Sequence, residues 1–224
     1  MQICKGFSCE DWTKLEARLD ANDESAWPEA IGVFERRMNE RYFRCIEKLL
    51  ALDEGANENQ VIVPGFSSMA LCCLVAETLQ SFYSGGPQSR TLTDDETCGY
   101  PKAGCAKEPP TARAFKDFFG SSPHFFGDFN NAEIRGDFAV NVRNALLHEA
   151  ETRSGWLIRR NDPQDGIVRR INGGYVLNRT RFYEALFAEF RDYLGRLRDP
   201  SQKSPRANFL KKMKLLCAAE PDCE

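Results

Sequence analysis

Histidine is nearly missing from this chain: 224 residues hold two, His124 and His148. Neither an H-x-x-x-H nor an H-E-x-x-H pattern occurs, so the paired-histidine motifs of catalytic zinc sites are absent. A metal-dependent hydrolase is disfavoured on that ground, and neither metal nor cofactor is expected. Long apolar runs are missing too. The longest candidate, residues 61–66 with 69–76, is interrupted by Pro64, Gly65 and two serines. A span needs roughly 18 or more apolar residues, so no membrane segment is predicted. Met1-Gln2-Ile3-Cys4-Lys5 offers no basic stretch followed by an apolar run, so a secretory signal is not expected. A cytoplasmic location is the matching expectation. No internal repeat is evident.

Cysteine, by contrast, is abundant at nine, an odd number. In a reducing compartment free thiols are the default. Cys72 and Cys73 sit in an apolar helical run and read as small core residues. Cys98 and Cys105 flank a loop bearing Gly and Pro, where unligated thiols compete with a disulfide or a metal clip. The hydrophobic share of 42% is enough for a proper core. The net charge of −3 hides an asymmetry. Residues 1–142 carry 14 Lys/Arg against 22 Asp/Glu; residues 143–214 carry 16 against 8. The basic segment is either the footprint of a polyanion binder or a face that docks on the acidic half.

Periodicity predicts mostly helix. Ser8 with Glu10 and Asp11 makes a capped helix start, followed by Trp12, Leu15 and Leu19 at helical spacing. Pro28 suits a first turn, and Ile31, Phe34, Met38, Tyr42, Ile46 and Leu50 extend an amphipathic helix. A helix over 66–82 is apolar on most sides and is expected at the centre, with Glu77 as its one ionisable group. Residues 85–112 read as a long loop, 115–119 as a short aromatic helix, and 131–153 as a helix closed by Ser154-Gly155. Residues 156–177 alternate around turn residues and predict a small β-ribbon. Asn178 can cap the next helix, which Pro200 ends; 201–224 are expected to be a basic tail with a short helix. The fold class is all-α, an antiparallel helical bundle over residues 1–200 with a β-ribbon insertion.

The helix over 131–153 carries Arg143-Asn144-Ala145-Leu146-Leu147-His148. Asn144 and His148, four apart, share a face. Arg143 and His148 are about 140° apart on an ideal helix, so the arginine must curl round or the last turn must distort. Val140 and Leu147 fall near Arg143, opposite the core-facing Ile134, Phe138, Val142 and Leu146. Apolar residues there predict a cover: the same helix of a second subunit, the 98–105 loop, or the β-ribbon.

Imidazole suits proton transfer near neutral pH, guanidinium suits a phosphate, and a carboxamide can donate to phosphate or hold a tautomer. Together they fit RNA cleavage in which the 2′-hydroxyl attacks the adjacent phosphate. One histidine does not readily serve as both base and acid; two copies in a dimer do. Each residue also has a plainer reading. His148 can be a helix histidine bonded to a carbonyl, Arg143 can pair with Glu149 or Asp137, and Glu77 can face the surface.

The R-N-x-x-x-H spacing, with Leu146-Leu147-His148 leading to Thr152 and Trp156 and with Ala76 to Phe82 as an earlier helix, resembles the HEPN superfamily. The resemblance covers roughly residues 30–195. It implies a helical bundle, a homodimer through the 131–153 helices, and a metal-independent endoribonuclease acting on RNA. It also implies a toxin or phage-defence role with an antitoxin or regulatory protein as partner. By that resemblance Arg143, Asn144 and His148 are catalytic and Glu77 supports them. In one branch a tyrosine two residues after the histidine is modified by a partner enzyme; here that position is Ala150. The rival reading is a non-catalytic module of the same fold that binds RNA or protein.

Overall fold

A computed structural model describes residues 1–54, 64–86, 110–160 and 166–218. Among the described residues the protein is mostly helical, with two small sheets. Strands β1 (Gln2–Cys4) and β2 (Phe7–Ser8) form an N-terminal hairpin that sequence periodicity does not reveal. Helix α1 (Cys9–Asp20) then starts in a capping box: the Ser8 hydroxyl accepts from the Asp11 amide and the Asp11 carboxylate accepts from Ser8. Helix α2 (Trp27–Met38) carries Pro28 in its first turn and runs through a π turn at Asn39–Phe43 into α3 (Arg44–Glu54).

Helix α4 (Gly65–Ser84) is the central element, as its all-round apolarity predicts. It packs against α3, α5 (Pro110–Ser121), α8 (Arg179–Arg198) and α9 (Lys203–Ala218). Phe82 from α4 sits 4.4 Å from Phe34 of α2 and 5.7 Å from Phe209 of α9 between ring centroids. Helix α9, which follows residue 200, adds side chains to the same hydrophobic core. Phe209 and Met213 of α9 are fully buried, and Asn208 Nδ2 donates to the Tyr83 carbonyl. Gly85 makes that contact possible. It caps α4 with φ +62°, and a Cβ there would stand 2.9 Å from the Asn208 Cα.

A second aromatic group anchors the helix that carries the motif. Phe119 stacks on Phe129 at 3.9 Å, and Phe138 stacks on Phe182 of α8 at 5.6 Å. That helix is α6 (Ala132–Phe138), a π turn (Ala139–Asn144) and α7 (Ala145–Glu149) in direct succession. Asn131 caps it by accepting from the Ile134 amide. It ends at Glu149, short of the expected Arg153. Ala150 adopts φ +55° and the chain doubles back, with the Arg153 amide donating to the Asn141 carbonyl. The return delivers Trp156 onto Phe138, where its indole N–H donates to Asp137. Burying that indole stabilises the return by roughly 2–3 kcal/mol.

The expected ribbon is a three-stranded sheet in the order β3 (Trp156–Arg159), β5 (Gly174–Asn178), β4 (Val168–Ile171). β4 and β5 are the antiparallel hairpin turned at Asn172-Gly173. β3 is parallel to β5, with Trp156 opposite Tyr175 and Ile158 opposite Leu177. Gly155 lies so close to Gly173 that a Cβ would meet the Gly173 carbonyl oxygen at 2.0 Å. Asn178 caps α8, accepting from the Arg181 amide. The turn expected at Asn161-Asp162-Pro163, Cys98, Cys105 and nearly all of the 85–112 loop lie outside the described residues. Among the described residues no helix is long and apolar enough to cross a membrane.

Candidate functional site

The π turn decides how the motif is presented. It widens the helix at residues 139–144, so the departure from ideal geometry falls on Arg143 and Asn144 rather than on the final turn. From that turn Arg143 reaches across to α4. Its Nη2 donates to Glu77 Oε2 at 2.9 Å, and its Nη1 donates to Asn144 Oδ1 at 2.9 Å. The Arg143 and Glu77 side chains are 15% and 16% exposed, so the pair is mostly withdrawn from water. Glu77 thus pairs with Arg143 and does not face outward as a solvated helix glutamate. The alternative partners of Arg143 are engaged elsewhere: Glu149 pairs with Arg153, and Asp137 accepts from Trp156 and Asn141.

His148 lies in the last turn of α7 and is exposed. Among the described residues its imidazole has no hydrogen-bond partner, so the reading as a carbonyl-bonded structural histidine does not hold for them. On the same helix Val140 and Leu147 remain 44% and 38% exposed in the single chain, while Ala145 and Leu146 are buried. The site therefore combines a fixed cation, a carboxamide held against it, an exposed imidazole less than two turns away, and two exposed apolar side chains.

The second histidine is committed to another network. His124 Nε2 contacts Asp192 Oδ2 at 2.8 Å. Beside it the buried Glu189 accepts from Tyr83, Ser122 and Arg196. Burial, reinforced by Glu189, pushes the Tyr83 phenol well above its ordinary range. This network ties α4 and the end of α5 to α8 and is not joined to the motif.

The basic segment divides between its two readings. Arg198, Arg206 and Lys214 dock on acidic residues of the first half: Glu35, Glu24, and Glu16 with Asp20. Arg159 and Arg170, on the sheet beside the motif helix, are exposed and have no ion pair among the described residues.

Sequence reasoning does not single out Gln80, whose carboxamide oxygen is buried without a partner. Its place one turn after Glu77 on α4 was the available signal. Among the described residues no group of three or more His, Cys, Asp or Glu side chains is placed to hold a metal. Cys72 and Cys73 are buried, and burial raises both thiols far above their usual range. Comparison with family models, curated proteins and solved structures finds no match to this chain.

Proposed function

We propose that the protein is a metal-independent endoribonuclease, with Arg143, Asn144 and His148 in its active site and Glu77 in support. The observation that carries the reading is the contrast within one helix. Arg143 is held by Glu77 and Asn144, while His148 is exposed and without a partner among the described residues. An anchored guanidinium provides fixed positive charge for phosphate oxygens at little reorganisation cost. A free imidazole is available for proton transfer.

In the proposed reaction one imidazole removes the 2′-hydroxyl proton. The 2′-oxygen then attacks the adjacent phosphorus, and the bond to the 5′-oxygen breaks. A second, protonated imidazole supplies the proton to that leaving oxygen. The products carry a 2′,3′-cyclic phosphate and a 5′-hydroxyl. Because each chain brings one motif histidine, the second imidazole comes from a second copy. Val140 and Leu147, exposed beside the motif, are the surface on which the two helices meet. A toxin or phage-defence effector restrained by an antitoxin fits this chemistry.

One observation favours the rival, non-catalytic reading. Arg143 already spends two donors inside its own chain. Incubation of purified protein with RNA and with DNA of the same sequence, in EDTA, separates the two. Cleavage of RNA alone, ending in cyclic phosphate, is expected. Intact RNA, or cutting that disappears with chelator, refutes the nuclease.

A further inference from the structure

Of the six cysteines among the described residues, two meet although they come from opposite ends of the chain. Cys9 is the first residue of α1, and Cys217 lies in the last turn of α9. Their thiols are hydrogen-bonded to each other. Contacts on either side hold the two helices in this register. Trp12 of α1 meets Phe209 of α9 edge-on at 5.9 Å. Lys214 of α9 pairs with Glu16 and Asp20 of α1 at 2.8 and 3.2 Å. Both cysteines also pack against the hydrophobic core. Two side chains already in contact need little backbone movement to bond.

Access sets this pair apart from the other thiols. Cys9 and Cys217 are half-buried, so a small reagent can approach them without unfolding the chain. Cys4, Cys72 and Cys73 are buried, and Cys45 is exposed on α3. The two sulfurs of the pair also differ from each other. Burial, with the Cys9 contact next, pushes the Cys217 thiol up to about 12. Glu16 opposes its ionisation, and Arg37, anchored by Nη1 on the Ile3 carbonyl, favours it. At neutral pH Cys217 therefore holds its proton, and the first attack on an oxidant falls to Cys9.

We infer that Cys9 and Cys217 are an oxidisable dithiol, which small-molecule disulfides of the glutathione type convert to a disulfide that clamps α9 onto α1. In the first exchange the Cys9 thiolate attacks one sulfur of the reagent. The reagent S–S bond breaks, and the expelled thiolate takes up a proton. Cys217 then gives up its proton to solvent and its sulfur attacks the Cys9 sulfur, expelling the second thiolate, which is protonated in turn. Two protein thiols and one reagent disulfide become one protein disulfide and two reagent thiols. The second step is intramolecular, so proximity favours it over attack by another reagent molecule. The bridge closes most of the chain into one loop, the case in which a disulfide restricts the unfolded state most. Neither cysteine belongs to the motif, so this chemistry holds whether or not the chain cuts RNA.

The test is disulfide mapping of the wild type. Reduced protein is equilibrated in glutathione buffers of rising disulfide content, alkylated, digested without reductant and read by mass spectrometry. A peptide joining Cys9 to Cys217 is expected as the main cross-link, while Cys45 takes glutathione adducts. Oxidation is expected to raise Tm by about 5–15 °C over the reduced protein. Cys9→Ser and Cys217→Ser are expected to abolish both the cross-link and the shift, and Cys45→Ser to keep both. Circular dichroism of each reduced variant checks its fold; where a serine variant does not fold, the wild-type map decides alone.

Glutathione adducts on Cys9 and Cys217 with no peptide joining them overturn the dithiol. So do both thiols left free at the highest disulfide content, or a main cross-link from either cysteine to a different partner. A joined peptide with Tm unchanged or lowered overturns the clamp.

Discussion

The ion pair between Glu77 and Arg143 offers the sharpest test of how the site is built. The two charges meet at 2.9 Å, and about five-sixths of each side chain is out of water. At an effective dielectric near 20, opposite charges about 4 Å apart attract by roughly 4 kcal/mol. Desolvation offsets part of that attraction. Removing one partner of a fully buried pair costs about 3–5 kcal/mol, because the other charge is stranded. With some water contact retained, Glu77→Ala and Arg143→Ala are each expected to lose about 2–4 kcal/mol. The double variant is expected to lose less than the sum of the two by about 2 kcal/mol, because no charge is then stranded. Urea unfolding of the four proteins gives this coupling directly. Each kcal/mol lost is expected to lower Tm by about 2–4 °C in a chain of this size. Losses that add to within about 0.5 kcal/mol would refute the pairing as the device that fixes Arg143. Cleavage gives a second readout: Glu77→Ala should change nothing further once Arg143 is gone.

Alkaline pH is expected to destabilise the fold. Burial raises the thiols of Cys72 and Cys73 above the ordinary 9.0, so the folded chain keeps both protons while the unfolded chain releases them above that value. Their contribution is fully present below pH 9 and falls by roughly 1–2 kcal/mol per thiol for each pH unit above it. Denaturant midpoints at pH 8 and pH 10 check the sign, and a midpoint that does not fall refutes it. At the surface, Val140→Lys with Leu147→Lys is expected to leave stability within about 0.5 kcal/mol. The same change is expected to convert a dimer to monomers in sedimentation, with loss of RNA cleavage. A wild type that is monomeric at all concentrations would contradict the shared site.

Much of the helical frame was legible in the sequence because local chemistry decides it. Ser8 and Asn178 carry capping side chains, and the apolar run of α4 asks for burial on most sides. Elsewhere long-range packing decides what local chemistry leaves open. Helix α9 sets its apolar residues among lysines, so the sequence predicts only a short basic helix around Phe209 to Leu216, within the observed Lys203–Ala218. Its burial depends on long-range contacts: Phe209 among Trp12, Phe34 and Phe82, and Arg206 on Glu24. The end of α7 carries no glycine; Ala150 takes the left-handed conformation because the chain must return to bury Trp156. Strand β3 joins β5 in parallel, a pairing that alternation along the chain cannot express. At the candidate site the motif spacing pointed to Arg143, Asn144 and His148. The partner of Arg143 is 66 positions away, beyond any periodic signal, although a lone carboxylate in an apolar helix asks for a cation.

The most direct measurement compares wild type with His148→Ala on RNA in EDTA, with matched circular dichroism spectra and unfolding midpoints. His148 is exposed and bonds to no described residue, so its loss is expected to spare the fold and cut the cleavage rate by about 10²-fold or more. Equal rates in the two proteins, or RNA left equally intact by both, would contradict the assignment of His148 as the proton-transfer group.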